Sequence, residues 1–374
     1  MKYFGSLIKN IDKTLLIIPA IFAVISIVMI GSTAYDGSFN FTRGMKIQLI
    51  AFVLGYIGLF ITLLFDYQKF ERWEKIFYAV SIVLLLTVFI PGLGLEQYGS
   101  RAWLKFGSIT FQPVELVKIA FILFFSAYLS RNRESLDTLK GLASAGLYIC
   151  PFIGIVVLLQ SDLGNALVMC FIAFAMIFVA GVDLKLYRRI ILAIAALTPV
   201  AYLLMKDYQK KRIYGFFHQN DLSIKENWQV WNSKVAIGSG GVSGKGLFEG
   251  TQKELDFLPV QDSDFIFSVI GEELGFLGAA AVILLYALML YRLFRVATNT
   301  KDLYGMLIVY GILAMFFFQI FENIGMTMGV MPVTGITLPF ISYGGTAILF
   351  LMAEMGLALS VARQIKFQEP EFIL

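Results

Sequence analysis

The chain has 374 residues, of which 58% are hydrophobic and only 15% charged, with a formal net charge of +4. Soluble domains carry nearer a quarter charged residues, so this composition excludes an ordinary soluble enzyme and points to a membrane protein. The two cysteines, Cys150 and Cys170, lie inside apolar runs and form neither a disulfide framework nor a zinc pattern. The single histidine, His218, excludes multi-histidine metal sites.

Apolar runs long enough to cross a bilayer recur along the whole length. Ten spans are expected, roughly at 15–33, 46–65, 76–90, 113–129, 142–159, 164–181, 190–205, 266–291, 303–329 and 343–362. The first follows a basic start and has the look of a signal peptide. No small-residue cleavage site follows it, so it reads as a retained helix. The expected fold is an all-α integral membrane protein, one polytopic domain over residues 1–374. An even number of spans puts both termini on one side. With the N-terminus cytoplasmic, the inner segments hold 17 lysines and arginines, and the short outer loops hold four: Arg43, Lys46, Arg101 and Lys105. That asymmetry places the termini inside and makes the membrane of the cell the expected location.

Within the fourth span, "FQPVELVKIAF" sets Glu115 and Lys118 three residues apart on one helical face. A mutual ion pair would let two costly charges stay inside a bundle. In the turn "QSDLG", Asp162 is placed to cap the following helix.

One outer segment, 206–264, is far longer than the rest, and loops beyond about 15 residues usually carry function or are disordered. It contains Trp228, Trp231 and glycine punctuation, so a partly structured loop between spans seven and eight is expected. Seven basic residues stand against three acids from Lys206 to Lys245; from Glu249 to Asp264 five acids stand against Lys253. Such polarity suits either a phosphate-bearing substrate or a loop that folds on itself. The stretch "GSGGVSGKGLFEG" fails as a nucleotide P-loop, because Ser239 stands at the first glycine position and Gly246 at the Ser/Thr position.

Asp264 opens "DFIFSVIGEELGFLG". If a helix starts there, the aspartate is either a cap, with a low pKa, or a partly desolvated base. Glu272 and Glu273 lie roughly 12 Å further along that helix, Glu273 on the opposite face, so neither pairs with Asp264. They are expected to face the protein interior. Gln319, Glu322, Asn323 and Glu354 extend a polar seam through the late spans, and "NIGMTMGVMPVTGITLPFISYGGTA", broken by Pro332 and Pro339, reads as an ordered re-entrant outer loop.

That last stretch resembles the SEDS family of shape, elongation, division and sporulation proteins. The pattern N-x5-G-x2-P-x2-G-x3-P-x2-S-Y-G-G is met by Asn323, Gly329, Pro332, Gly335, Pro339, Ser342, Tyr343, Gly344 and Gly345. Further similar pieces are "GSRAWLKFG", "QPVELVK", "QSDLG", "YQKKRI" and "GKGLFEGTQ", with Gly250-Thr251-Gln252 closer to RodA-like than to FtsW-like members. The resemblance implies a peptidoglycan glycosyltransferase that polymerises lipid II on the outer face of the membrane for cell elongation and shape. A lipid-linked precursor flippase and a non-catalytic scaffold are the alternatives.

By the same resemblance Asp264 is the catalytic carboxylate. Arg101, Lys105, Glu115, Lys118, Asp162, Arg212, Lys245, Gln252 and Ser342 are candidates for binding substrate or organising the cavity. No metal ligands are assigned, although a divalent cation (Mg or Mn) is a candidate helper. The implied partners are lipid II, a class B penicillin-binding protein transpeptidase and membrane proteins of the elongation complex, with no nucleic acid. The chain departs from the family pattern at Val260, Asp262 and Ser263 (usually Glu, His and Thr) and at Ser161 and Asn165 (usually Pro and Thr). An extra acid at 262 is expected to push Asp264 upward by like-charge repulsion.

Overall fold

Each of the ten apolar runs forms a helix. The computed structural model describes residues 11–35, 37–38, 40–97, 99–107, 109–251 and 260–368. The first seven helices are α1 (Lys13–Thr33), α2 (Arg43–Leu64), α3 (Glu74–Leu86), α4 (Pro113–Arg131), α5 (Leu139–Gly154), α6 (Leu163–Val179) and α7 (Leu184–Leu204). Two shorter helices, α8 (Asp207–Phe217) and α9 (Lys225–Ser239), occupy the long loop, followed by α10 (Ile266–Asn299), α11 (Leu303–Thr327) and α12 (Gly345–Gln368). Among the described residues, seven helical segments are long and apolar enough to cross a membrane: α1, α2, α4, α5 with its continuation to Leu159, α10, α11 and α12. The apolar helix α6 is shorter, α3 has 13 residues, and α7 carries Lys185, Arg188 and Arg189 in its first turns.

Local chemistry sets most of the helix ends. Asp12 caps α1 through the Thr14 and Leu15 amides, Thr42 caps α2 through Met45, and Asp302 caps α11 through Gly305. Helix α2 therefore starts three residues before the expected 46. Helix α5 contains Pro151 and continues as a single π turn, Ile155–Leu159, to the end of the fifth expected span. Helix α10 has 34 residues, longer than a bilayer needs, and is kinked at Gly275 (φ 64, ψ −164).

Contacts sort the connections into two ends of the bundle. At the terminal end, Asp12 meets Arg292, Glu74 meets Arg131, and the Tyr67 hydroxyl donates to Asp302. At the loop end, Ser32 donates to Glu273, Gln261 to the Thr33 carbonyl and Ser342 to the Ser263 carbonyl. Helix α12 packs along α2 so closely that a Cβ on Gly356 would lie 2.4 Å from the Leu59 carbonyl oxygen. Small residues permit such approaches between membrane helices.

A three-stranded antiparallel sheet, β1 (Gly94–Gln97), β2 (Ser100–Phe106) and β3 (Ile109–Phe111), sits at the loop end. The all-α expectation did not contain it. Its strands are too short for a sequence period to stand out, although Ala102 and Leu104 are buried in alternation with Arg101, Trp103 and Lys105. The sheet is tied to the bundle by the Arg101 amide, which donates to the Gln160 carbonyl.

The re-entrant loop between α11 and α12 enters the bundle as expected. Phe340, at φ 65, is buried, with its ring 5.8 Å from Phe22 and 5.5 Å from Phe316. The Tyr286 hydroxyl donates to the Pro339 carbonyl. This plug fixes the floor on which the functional residues stand.

Candidate active site

Two non-helical segments meet at the loop end: the turn 260–265 before α10 and the re-entrant loop. The Ser342 hydroxyl donates to the Ser263 carbonyl at 2.6 Å and accepts the Leu338 amide at 2.8 Å. The Tyr343 amide donates to the Asp262 carbonyl at 2.8 Å. Asn323, fully buried on α11, donates to the carbonyls of Asp264 (3.0 Å) and Ile336 (2.8 Å). The motif's Asn and Ser thus bind backbone: they hold the aspartate turn in place.

Asp264 does not cap α10. That helix starts at Ile266, has Phe265 at its cap position, and receives no side-chain cap bond. Among the described residues the carboxylate accepts one hydrogen bond, from the Ser263 hydroxyl at 3.1 Å. It lies outside the spanning helix and keeps a partly exposed edge, yet burial by the surrounding protein pushes it up to about 6. The Ser263 bond and the Arg212 charge oppose that rise, and Asp262 adds to it least. The expected like-charge effect of Asp262 is therefore present but minor beside desolvation. Asp262 itself is raised, again by burial. Beside the carboxylate, Gly335 is exposed at φ 79, and a Cβ there would lie 3.6 Å from Asp264 Oδ2. The glycine leaves that face of the carboxylate open.

Two cavities lie at this end of the bundle. One, a narrow cavity of about 20 Å³, is lined by Arg212, Glu226, Asn227, Lys234 and the 329–333 segment. Arg212 is held there by Glu226 (3.8 Å) and by the Thr334 carbonyl (3.4 Å), while facing Asp264. The other, of about 480 Å³ and more open, is lined by Thr42, Arg43, Asp262 and Tyr343 between the ends of α1 and α2. Sequence reasoning named Arg212 but not Glu226, Thr334 or Arg43. The first two meet it only by folding, and Arg43 counted only toward sidedness.

The remaining candidates fall into three groups. Lys245 donates to Glu272 Oε1 (2.6 Å) and to the Thr251 hydroxyl (2.7 Å). Glu272 and Glu273 are buried, as expected, and bind the 245–251 segment through its amides at Phe248 and Thr251. Arg101 donates to the Val88 carbonyl and lies over the Phe89 ring at 5.7 Å; Lys105 is exposed on β2. Both stand on the sheet.

Glu115 and Lys118 form the expected pair at 2.8 Å, with Lys118 fully buried, and Asp162 caps α6 through Asn165. Asp162 and Glu354 both face this pair, so four ionisable groups share one interior cluster. Burial is the chief force pushing Asp162 upward, against its Asn165 bonds. Ser161, where the family usually has proline, sits at φ 62, a value a proline ring forbids. Gln252 lies outside the described residues.

The family profile described as cell cycle protein, covering FtsW, RodA and SpoVE, matches residues 10–367. The chain belongs to this family. Among relatives, it is 34% identical over 366 residues to the stage V sporulation protein E of Bacillus subtilis, covering 95% of this chain and 98% of that protein. It is 32% identical over 353 residues to the peptidoglycan glycosyltransferase MrdB of Escherichia coli, covering 94% and 93%. A probable peptidoglycan glycosyltransferase FtsW of Geobacter is 31% identical over 369 residues, covering 96% and 98%. These three relatives thus stand at nearly equal identity.

Among solved structures, a chain of a peptidoglycan synthase complex that coordinates polymerization and crosslinking superposes with a TM-score of 0.79 at 30% identity, covering 96% and 99%. The rod shape determining protein RodA of Thermus thermophilus gives 0.70 at 29% identity, covering 96% and 98%.

Proposed function

We propose that this SEDS-family peptidoglycan glycosyltransferase polymerises lipid II at the loop end of the bundle, with Asp264 as general base. The observation that carries the assignment is the state of Asp264. It is free of capping duty, fixed through its backbone by Asn323, and raised to about 6 by burial. A base works best with a pKa near the operating pH.

The chemistry asks for one base and a cation. A sugar hydroxyl attacks the anomeric carbon of a lipid-linked sugar, and a diphosphate leaves already anionic, so no acid need protonate it. A glycosidase needs two catalytic carboxyls instead. Asp264 removes the hydroxyl proton, and Arg212 faces it from the smaller cavity to hold developing negative charge. The larger, open cavity beside Asp262 supplies a place for one of the two sugar substrates. Arg101 and Lys245 would contact the diphosphate or peptide only by leaving or sharing their present partners, whereas Lys105, exposed on β2, would contact either directly; the Glu115–Lys118–Asp162 cluster would shape the floor. Gln252 is proposed as a further contact from the flanking segment.

No group of three or more His, Cys, Asp or Glu side chains gathers into a metal site among the described residues. A Mg or Mn ion at Asp264 would therefore take most of its oxygen ligands from the diphosphate and water.

We place the loop end outside the cell from the loop charge asymmetry, and elongation as the process from the Gly250-Thr251-Gln252 piece. A class B penicillin-binding transpeptidase and elongation-complex membrane proteins are the partners this reading calls for. The test is glycan-chain formation from purified lipid II by the reconstituted protein. Asp264→Asn is expected to abolish it, and an unchanged rate removes Asp264 as the base. Labelled precursor crossing the bilayer without polymer would favour the flippase, and neither activity would favour the scaffold.

A further inference from the structure

One acid beside Asp264 has no part in the reaction as described. Glu322 on α11 is fully buried, and both of its carboxyl oxygens are buried without a well-formed hydrogen bond among the described residues. Its neighbours come from three elements: Asp264 from the turn before α10, Arg212 from α8 and Thr334 from the re-entrant loop. The arrangement is tightly fixed. Asn323, the next residue, holds the Asp264 and Ile336 carbonyls, and Arg212 holds the Thr334 carbonyl. Asp264 is faced in turn by Ser263, Arg212 and Asp262, and Arg212 shares its charge with Glu226.

Buried carboxyls ordinarily collect hydrogen bonds or a cation of their own. Glu322 has no well-formed hydrogen bond among the described residues, with the Thr334 side chain as its nearby donor, and faces a guanidinium that also serves Asp264 and Glu226. Two carboxyls confined in one poorly solvated site do not ionise independently; they titrate as a pair.

We propose that Glu322 is a positioning residue for the base, forming with Asp264 a coupled carboxyl pair that holds one proton before the acceptor sugar binds. The proposal rests on the reading of Asp264 as base. In the step, the acceptor O–H bond breaks and its proton passes to Asp264. A C–O bond forms at the anomeric carbon while the bond to the lipid diphosphate breaks, the diphosphate leaving with the electron pair. The pair then holds two protons, and one returns to water at the exposed edge of Asp264 before the next cycle. Glu322 is fully buried and touches no substrate.

The signature is in the pH profile. A coupled pair gives polymerisation two titration steps, and an isolated Asp264 gives one. Polymerisation of purified lipid II by the full chain in nanodiscs would be followed from about pH 5 to about pH 9 for wild type, Glu322→Gln and Glu322→Asp. The amide keeps the volume but cannot titrate. Glu322→Gln is expected to retain activity within about tenfold at neutral pH and to show a single step, and Glu322→Asp to restore two. Profiles of the same shape for wild type and Glu322→Gln overturn the proposal, including the case where the amide lowers the rate equally at every pH.

Where the amide variant does not fold, carbodiimide labelling of Glu322, read by mass spectrometry against pH, decides. Its midpoint should differ between wild type and Asp264→Asn by on the order of one pH unit, and equal midpoints overturn the pairing. Polymerisation by Asp264→Asn reads the base assignment separately, so the two ideas fail in different experiments.

Discussion

Asp264→Asn should make the protein more stable while removing its activity. In the folded protein burial raises the carboxyl from 3.8 to about 6. Each pH unit of such a difference is worth about 1.4 kcal/mol, so an ionised Asp264 costs the folded state on the order of 3 kcal/mol. Allowing for its exposed edge brings this to about 2 kcal/mol. The sign follows from linkage: with the folded value raised, the protonated form favours folding below about 4, and that advantage is lost as pH rises to the folded value near 6.

Asparagine cannot ionise and escapes the cost. The variant should melt together with wild type near pH 4 and progressively above it as the pH approaches 7. The difference should then stay constant at higher pH. Thermal unfolding of both proteins in one detergent, followed by intrinsic fluorescence across that range, measures this. Equal melting temperatures at neutral pH, or a difference that shrinks as pH rises, would refute the claim that Asp264 is a desolvated acid. One of the steps in the wild-type polymerisation rate should be a rise through pH about 6 as the base ionises.

Other substitutions test the supports. Ser342→Ala strands the Leu338 amide and the Ser263 carbonyl, which should cost about 1–3 kcal/mol in thermal unfolding and lower the polymerisation rate by displacing the turn. Lys118→Met leaves Glu115, Asp162 and Glu354 facing one another without the cation, a loss of about 3–5 kcal/mol that unfolding or expression yield would register. Gly275→Ala places a Cβ 2.2 Å from the Gly244 nitrogen at a positive φ; it should release the 240–251 segment and raise its amide hydrogen exchange. Arg212→Ala should raise KM for lipid II by about tenfold or more while the protein still folds, since its partners Glu226 and Thr334 are partly exposed.

The sequence by itself determined what depends on local spacing. Apolar runs fixed ten helices, because a backbone in lipid must satisfy its own hydrogen bonds. The i, i+3 offset of Glu115 and Lys118 fixed their ion pair, and the turn before α6 fixed Asp162 as a cap, since both contacts lie within one helical turn. The interior placement of Glu272 and Glu273 followed from the cost of charge in a bilayer.

Only the tertiary structure decided contacts between distant segments. Asp264 is a desolvated acid because α10 starts two residues later and Asn323, 59 positions away, binds its carbonyl. Lys245 is tied to Glu272, 27 positions on, and so stands in a partnership its glycine-rich setting gave no sign of. Glu322 read as one more polar residue of a seam, and became the neighbour of the base only once three separate elements closed around it. Local pattern sets the elements, whereas desolvation and charge pairing depend on which elements meet. The pKa of Asp264 is set at such a meeting and is therefore invisible in the order of residues around it.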